Sequence, residues 1–316
     1  MVNQNKSLLT CMALILVLMA VLPFFGCRAN KDGIQTISSS AARDFKWEYL
    51  LYVPRKITSP YMLVIPNNTG EVSEQIETHR RAARNLIVWK KTDADELGAV
   101  LLVPVFPRPE SIGHVYTHAL DRDCLIIQEE KLQRLDLQLI AMIDDARARL
   151  SERKISLSDQ VLLSGYSASG MFVNRFALLH PERVRAAAVG SPGGWPILPV
   201  STYNGKDLPY PIGISDIDRL LPGEQIDVAS FCAIPQLFYM GSLDDNDASE
   251  TCYFENMHEI TAMDFGQTPV QRWAQAEKVY QELGANVQFK IYEGVGHDLT
   301  DDMQKDVLTF LKQYSN

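Results

Sequence analysis

Three serines stand within SGYSASGM, from Ser164 to Met171, between the apolar run Val161-Leu162-Leu163 and the apolar positions Phe172, Val173, Phe176, Ala177 and Leu178. A serine hydroxyl becomes a nucleophile only where a base can take its proton. It must also project clear of its neighbours, and a strand running straight into a helix achieves this by a sharp turn whose flanking positions have to be very small. With Ser167 at the apex, Gly165 lies two residues before, Ser169 two after and Gly170 three after, so every crowded position is Gly or Ser. The Gly-x-Ser-x-Gly pattern is met except that Ser169 stands in place of the second Gly. Ser169 at the apex would put Met171 in a small-residue position, and Ser164 belongs to the strand. The following helix aims its first N–H groups and its positive dipole end at the turn, which makes the N–H of Ala168 a candidate oxyanion donor.

The segment GYSASGMFVNRFALLHPERVRAAAVGSPGG resembles the elbow region of the α/β-hydrolase superfamily, in its secreted esterase branches, which include polyhydroxybutyrate depolymerases and feruloyl esterases. The resemblance runs over residues 46–316. It implies a mostly parallel sheet with helices on both faces, catalysis without a cofactor, and a triad in the chain order Ser, acid, His. After the apolar run PQLFYM comes GSLDDND, where Asp244 lies three residues beyond Gly241, as the family's acid does; Asp245 and Asp247 are nearby rivals. An acidic turn is also compatible with a solvated loop or a calcium loop. After VQFKIY comes EGVGHDL, whose His297 resembles the family's catalytic histidine. Of the six histidines it alone lies downstream of both Ser167 and the acid and also follows a strand; the competing reading is a surface histidine capping the last helix.

A third likeness is YMLVIPNNTG, where the family has His-Gly followed by a second oxyanion donor. Pro66-Asn67 occupies that place here, making Asn68 the expected donor with Asn67 behind it; an Asn-rich turn closing a strand is the plain alternative. RPESIGHVYTHALDRD follows another strand, so Tyr116 and His118, with His114 and Asp121, are candidates for the substrate rim. His114 and His118 are four apart but have no third ligand in register, so no metal is expected. Tyr166 and Trp195 complete the candidate substrate-binding residues, Trp195 as pocket wall or lid.

The elements that must position these groups are legible as apolar runs at Trp47–Val53, Tyr61–Ile65, Ala99–Val105, Gln160–Leu163, Val184–Val189, Gln236–Met240 and Val287–Tyr292. Helical periodicity lies between most of them. Leu132, Leu135, Leu139, Ile143, Ala146 and Leu150 share one face, the elbow helix ends near His180 before Pro181, and further helices span Pro269–Leu283 and Thr300–Tyr314. His79-Arg80-Arg81 and Arg84 read as the solvated side of another. Buried runs alternating with helices define an α/β protein with a mostly parallel sheet covered on both faces. Residues 191–231 break the alternation: they hold six of the 16 prolines and no sustained period, and are expected to form an irregular lid or cap.

Ahead of the domain, Lys6 precedes an uncharged apolar run from Leu8 to Phe25, the composition of an export signal or a single membrane anchor. Gly26-Cys27 is a candidate lipoprotein cleavage site, although Phe24 and Phe25 depart from the usual lipobox. Residues 28–45, polar and Ser-rich, read as a flexible tether. Three cysteines follow Cys27, of which Cys232 and Cys252 are the candidate disulfide, with three unpaired thiols as the alternative. The net charge of −9, from 30 basic and 39 acidic residues, argues against a nucleic-acid surface, which needs concentrated Lys and Arg. The sequence therefore points to an exported serine hydrolase, most simply a carboxylic ester hydrolase acting on a small or polymeric ester. A peptidase or acyltransferase with the same triad, or a non-catalytic binding protein of the same fold, is the alternative.

Overall fold

A computed structural model of the chain describes residues 33–68, 70–194, 196–248, 260 and 264–316. Signal segment, Cys27, Trp195 and Cys252 lie outside the described residues. Eight strands form one sheet: β1 (Ile34–Ile37), β2 (Tyr49–Tyr52), β3 (Met62–Val64), β4 (Leu101–Pro104), β5 (Val161–Tyr166), β6 (Val184–Gly190), β7 (Gln236–Gly241) and β8 (Val287–Tyr292), in the order β1-β2-β4-β3-β5-β6-β7-β8. The six strands from β4 to β8 run parallel, while β2 pairs antiparallel with both β1 and β4.

Side chains alternate across a strand, and the sequence places apolar residues at both parities, so the sheet is buried on both faces. Leu63, Leu101, Val103, Leu162, Ala188 and Leu237 face α1 (Ile76–Leu97) and α5 (Asp301–Gln313), which bring Ile87, Met303, Val307 and Phe310. Met62, Val64, Leu102, Leu163, Val189 and Phe238 face the other way, toward α2 (Leu135–Glu152), α3 (Ala168–Leu179) and α4 (Pro269–Glu282). The arginine-rich stretch at 79–84 lies on α1 as expected, with its polar side outward and Ala83 and Ile87 inward; His79, however, is buried. Helix starts follow the capping rule: Thr268 and Gln271 form a reciprocal capping box with Pro269 in the first turn of α4, and Thr300 Oγ1 accepts from the Met303 N–H on α5.

One expectation is corrected. Residues 34–45 are not a tether: Ile34–Ile37 add an edge strand to β2, and Ile34 and Phe45 are fully buried, so burial of a few apolar side chains outweighs the polar, Ser-rich composition around them. The segment 191–231 is irregular as expected, and it is packed. Ile197, Leu198, Leu208, Tyr210, Ile212, Ile217 and Phe231 belong to the main core. The Tyr210 hydroxyl donates to Leu120 O, Arg122 pairs with the buried Asp216, and Ile197 N–H is held by Asn174 Oδ1. Its backbone is irregular, but its apolar side chains are buried in the main core. Cys124 is buried and Cys232 half-buried, both as free thiols.

Candidate active site

β5 delivers the chain to Ser167, and α3 starts at the next residue. Ser167 sits at φ 59° and ψ −128°, a conformation L-residues rarely adopt, and the turn is over-determined by its surroundings. The Ser167 N–H donates to Gly190 O on β6, and Ser167 O accepts from Met171 N–H. A Cβ at Gly165 would lie 2.2 Å from Ser169 O, and one at Gly170 would lie 2.3 Å from Gly190 O, so both positions require glycine for space. Ser169 is different. Its hydroxyl donates to Tyr166 O at 2.9 Å and accepts from Tyr166 N–H at 3.0 Å, so the departure from the glycine pattern is a cross-brace on the turn itself. Ser169→Ala removes both bonds at a site only 5% exposed, and is expected to cost about 1–3 kcal/mol. Chemical denaturation followed by tryptophan fluorescence measures this, and an unchanged midpoint would show that the brace contributes nothing.

Three loops at the carboxyl ends of β5, β7 and β8 bring the predicted side chains together. Ser167 Oγ lies 2.9 Å from His297 Nε2. His297 Nδ1 lies 3.0 Å from both oxygens of Asp244. A nitrogen between two carboxylate oxygens must carry the proton, so Nδ1–H donates to Asp244 and Nε2 keeps the lone pair that faces Ser167. Burial pushes the Asp244 carboxyl up, but hydrogen bonds from His297 and Ser191, with the Asn246 N–H behind them, outweigh it and hold the acid below its ordinary range. The rival carboxylates are placed elsewhere: Asp245 is exposed, and Asp247 pairs with the buried Arg272 of α4.

Asn246 and Ser191 were not among the sequence candidates. Asn246 Nδ2 lies 3.0 Å from His297 Nε2, so two donors converge on one lone pair. Ser191, at φ 39° just past β6, shares a 3.1 Å hydrogen bond with the Tyr166 hydroxyl. The signal for both was their place at carboxyl strand ends, the same criterion that selected Asp244 and His297.

The remaining candidates divide. Ala168 is buried at the first position of α3, where its N–H has no partner within the helix. Tyr166 packs its ring 5.2 Å from the imidazole of His297 and 6.1 Å from Tyr239, forming the wall behind the histidine; burial pushes its hydroxyl up to about 12. Tyr116 is half-buried against Ala119, Ala168, Met171 and Ala248, next to the elbow. Asn67 is buried as a clamp between loops, with Nδ2 donating to Phe106 O at 2.9 Å and Oδ1 accepting from Phe106 N–H at 3.0 Å. Asn68 Oδ1 accepts from Gly70 N–H. His118 corrects an expectation: it is fully buried and points into the protein, not to the substrate rim. Its Nε2 lies 2.8 Å from Phe106 O, and burial, the largest influence, depresses its pKa to about 3, so it stays neutral and donates from Nε2. Among the described residues no cluster of His, Cys, Asp and Glu could hold a metal.

The sheet order, the antiparallel β2 and the elbow between β5 and α3 are those of the α/β-hydrolase fold. Solved structures agree. The chain is similar to poly(aspartic acid) hydrolase-1 from Sphingomonas sp. KT-1, at 19% identity over 90% of this chain and 99% of that one, with a TM-score of 0.60. It is also similar to LpqC, a poly(3-hydroxybutyrate) depolymerase from Bordetella parapertussis, at 18% identity over 90% and 92% of the two chains, with a TM-score of 0.58. No family model and no curated protein sequence matches the chain.

Proposed function

We propose that the protein is an exported serine hydrolase that cleaves carboxylic esters through an acyl-serine intermediate. The observation carrying this reading is the continuous hydrogen-bonded row from Asp244 through His297 to Ser167 Oγ, ending on a hydroxyl at the apex of a strained strand–helix turn. In the proposed cycle His297 Nε2 takes the proton of Ser167 as Oγ bonds to the ester carbonyl carbon. Asp244 holds the Nδ1–H and offsets the imidazolium charge. The N–H groups of Ala168 and Asn68 bind the tetrahedral oxyanion. Collapse breaks the bond to the alkoxy group, which leaves with the proton from Nε2; water then enters, gives its proton to Nε2, attacks the acyl carbon and releases the acid and Ser167 Oγ–H.

An ester is preferred over a peptide because of the sequence resemblance around the elbow, and the depolymerase neighbour is named for a polyester. A fluorophosphonate probe tests the nucleophile and a panel of acyl nitrophenyl esters against peptides tests the substrate class. Labelling of wild type that disappears in Ser167→Ala, with turnover of esters, is the expected result. A folded protein that takes no label would instead be a binding protein on the same scaffold.

Export rests on Lys6 and the uncharged run from Leu8 to Phe25, and lipid attachment on Gly26-Cys27. Fractionation of a bacterial host expressing the full chain is expected to find it in the envelope and to find Cys27→Ala released from membranes. Recovery of both forms from the cytosol would remove this part of the proposal.

A further inference from the structure

Arg108 lies in the loop after β4, on the same sheet edge as the elbow. Its guanidinium carbon sits 3.6 Å above the centre of the Tyr116 ring, and Tyr116 in turn packs against the small cluster of Ala119, Ala168, Met171 and Ala248 that includes the residue next to Ser167. The backbone of Arg108 is fixed at both groups: its N–H donates to His79 Nε2 and its carbonyl accepts from Ser73 N–H. The side chain is half-buried, and among the described residues it faces no carboxylate at ion-pair distance and donates no hydrogen bond; its buried Nε has no partner.

In a chain where 39 acidic residues outnumber 30 basic ones, Arg272 pairs with Asp247, Arg122 with Asp216 and Arg134 with Asp136 and Glu224. Arg185, at the start of β6 and so at the opposite end of the sheet from the elbow, shares with Arg108 an unpartnered buried Nε and lies over Tyr61 and Tyr314; what sets Arg108 apart is its place at the carboxyl end, beside the elbow. A buried N–H without an acceptor costs free energy, and a planar guanidinium held flat on an aromatic ring presents its N–H edge to a carboxylate in a fixed orientation. The neighbouring imidazoles do not supply the missing charge: His79 and His118 are both buried, and neither ring bears a negative charge in any state that matters at neutral pH. Aromatic stacking holds the cation in place but does not satisfy its N–H groups.

We propose that Arg108, held on Tyr116, is a carboxylate-binding subsite beside the nucleophile, so that the favoured ester carries a free carboxylate. The proposal rests on the ester-hydrolase reading for its position relative to Ser167. The charge is a single one on a protein of net charge −9, so it suits one carboxylate near the scissile bond and not a long polyanion, which the rest of the surface repels.

The test compares kcat/KM for matched ester pairs, a monoester of succinic, glutaric or adipic acid against its methyl-capped neutral diester, in wild type, Arg108→Gln and Arg108→Lys. The wild type is expected to favour the charged member of a pair, through a lower KM. That ratio should fall by about tenfold in Arg108→Gln, because a charge-assisted pair is lost. Arg108→Lys should give an intermediate ratio, since charge is kept but the planar fork is not. Using a ratio cancels any general damage to folding. A wild type with no preference, or a ratio unchanged in Arg108→Gln, overturns the subsite. Thermal shift of the Ser167→Ala protein with glutarate separates this proposal from the catalytic one: stabilisation that Arg108→Gln abolishes supports the subsite even if no ester is turned over, and absence of any shift counts against it.

Discussion

Ser167→Ala is expected to lower kcat/KM for a nitrophenyl ester by about 10⁴- to 10⁶-fold, with KM little changed, because the hydroxyl is the atom that forms the covalent bond and nothing beside it can substitute. Ser169 cannot: its oxygen is committed to both backbone groups of Tyr166. The residual rate should come from the oxyanion donors and substrate positioning alone. Stability should move differently from activity. A non-glycine residue at φ 59° and ψ −128° is held there at a cost, since neither Ser nor Ala is at ease in that conformation. Ser167→Ala should therefore leave the unfolding midpoint close to wild type, while Ser167→Gly, equally inactive, should raise stability by about 1 kcal/mol by relieving the strain. Steady-state kinetics and denaturant unfolding on the same three proteins check both halves. Retention of more than about a hundredth of wild-type activity in Ser167→Ala would mean that another nucleophile does the chemistry.

The seven strands from β2 to β8 were legible as buried runs with turn residues on either side, and four of the long helices as apolar faces at helical spacing, while α1 was legible only through its basic, solvated side. β1 was missed for the opposite reason. Ile34 and Ile37 carry little pattern of their own, and their burial depends on β2, which lies beyond a turn and a short helical segment. The nucleophile, acid and histidine could be read from one rule, that reactive groups gather where parallel strands end. What the rule does not give is direction. It chose His118 along with His297, since both follow strands, yet one ring points to the elbow and the other into the protein toward Phe106. It could not separate Asp244 from Asp247 either, because the deciding fact is Arg272, a residue 25 positions later on a helix whose packing places it over one carboxylate and not the other. The insertion at 191–231 shows the same limit in reverse: absence of a period signals irregular backbone, and carries no information about whether that backbone is packed.

Asp244→Asn is expected to reduce kcat by about 10⁴-fold while leaving the fold intact, an effect of the same order as that known for a serine protease with this change. The physical reason lies in the tautomer. With a carboxylate at 3.0 Å, Nδ1 must be the protonated nitrogen and Nε2 the acceptor for Ser167. An amide can turn its NH₂ to Nδ1, which moves the proton to Nε2 and leaves no base facing the serine. Asp247→Asn, in contrast, weakens an ion pair with Arg272 and should act mainly on stability, so the two variants distinguish the acid from its neighbour. The pH dependence follows from the direction of the Asp244 shift. A carboxyl held below its ordinary range in the folded state gives stability that is present above the unfolded value, near pH 4, and is lost as pH falls through the folded value. The gap in unfolding free energy between wild type and Asp244→Asn should therefore shift against the wild type as pH drops below about 4, and stay level between about pH 6 and 8. Loss of turnover on the acid side above pH 5 cannot then be protonation of Asp244, which is still a carboxylate there, and must belong to a group that gains a proton at higher pH. A wild-type enzyme whose acid limb moves when Asp244 is replaced, with kcat otherwise preserved, would show that the carboxylate titrates in that range and does not fix the tautomer.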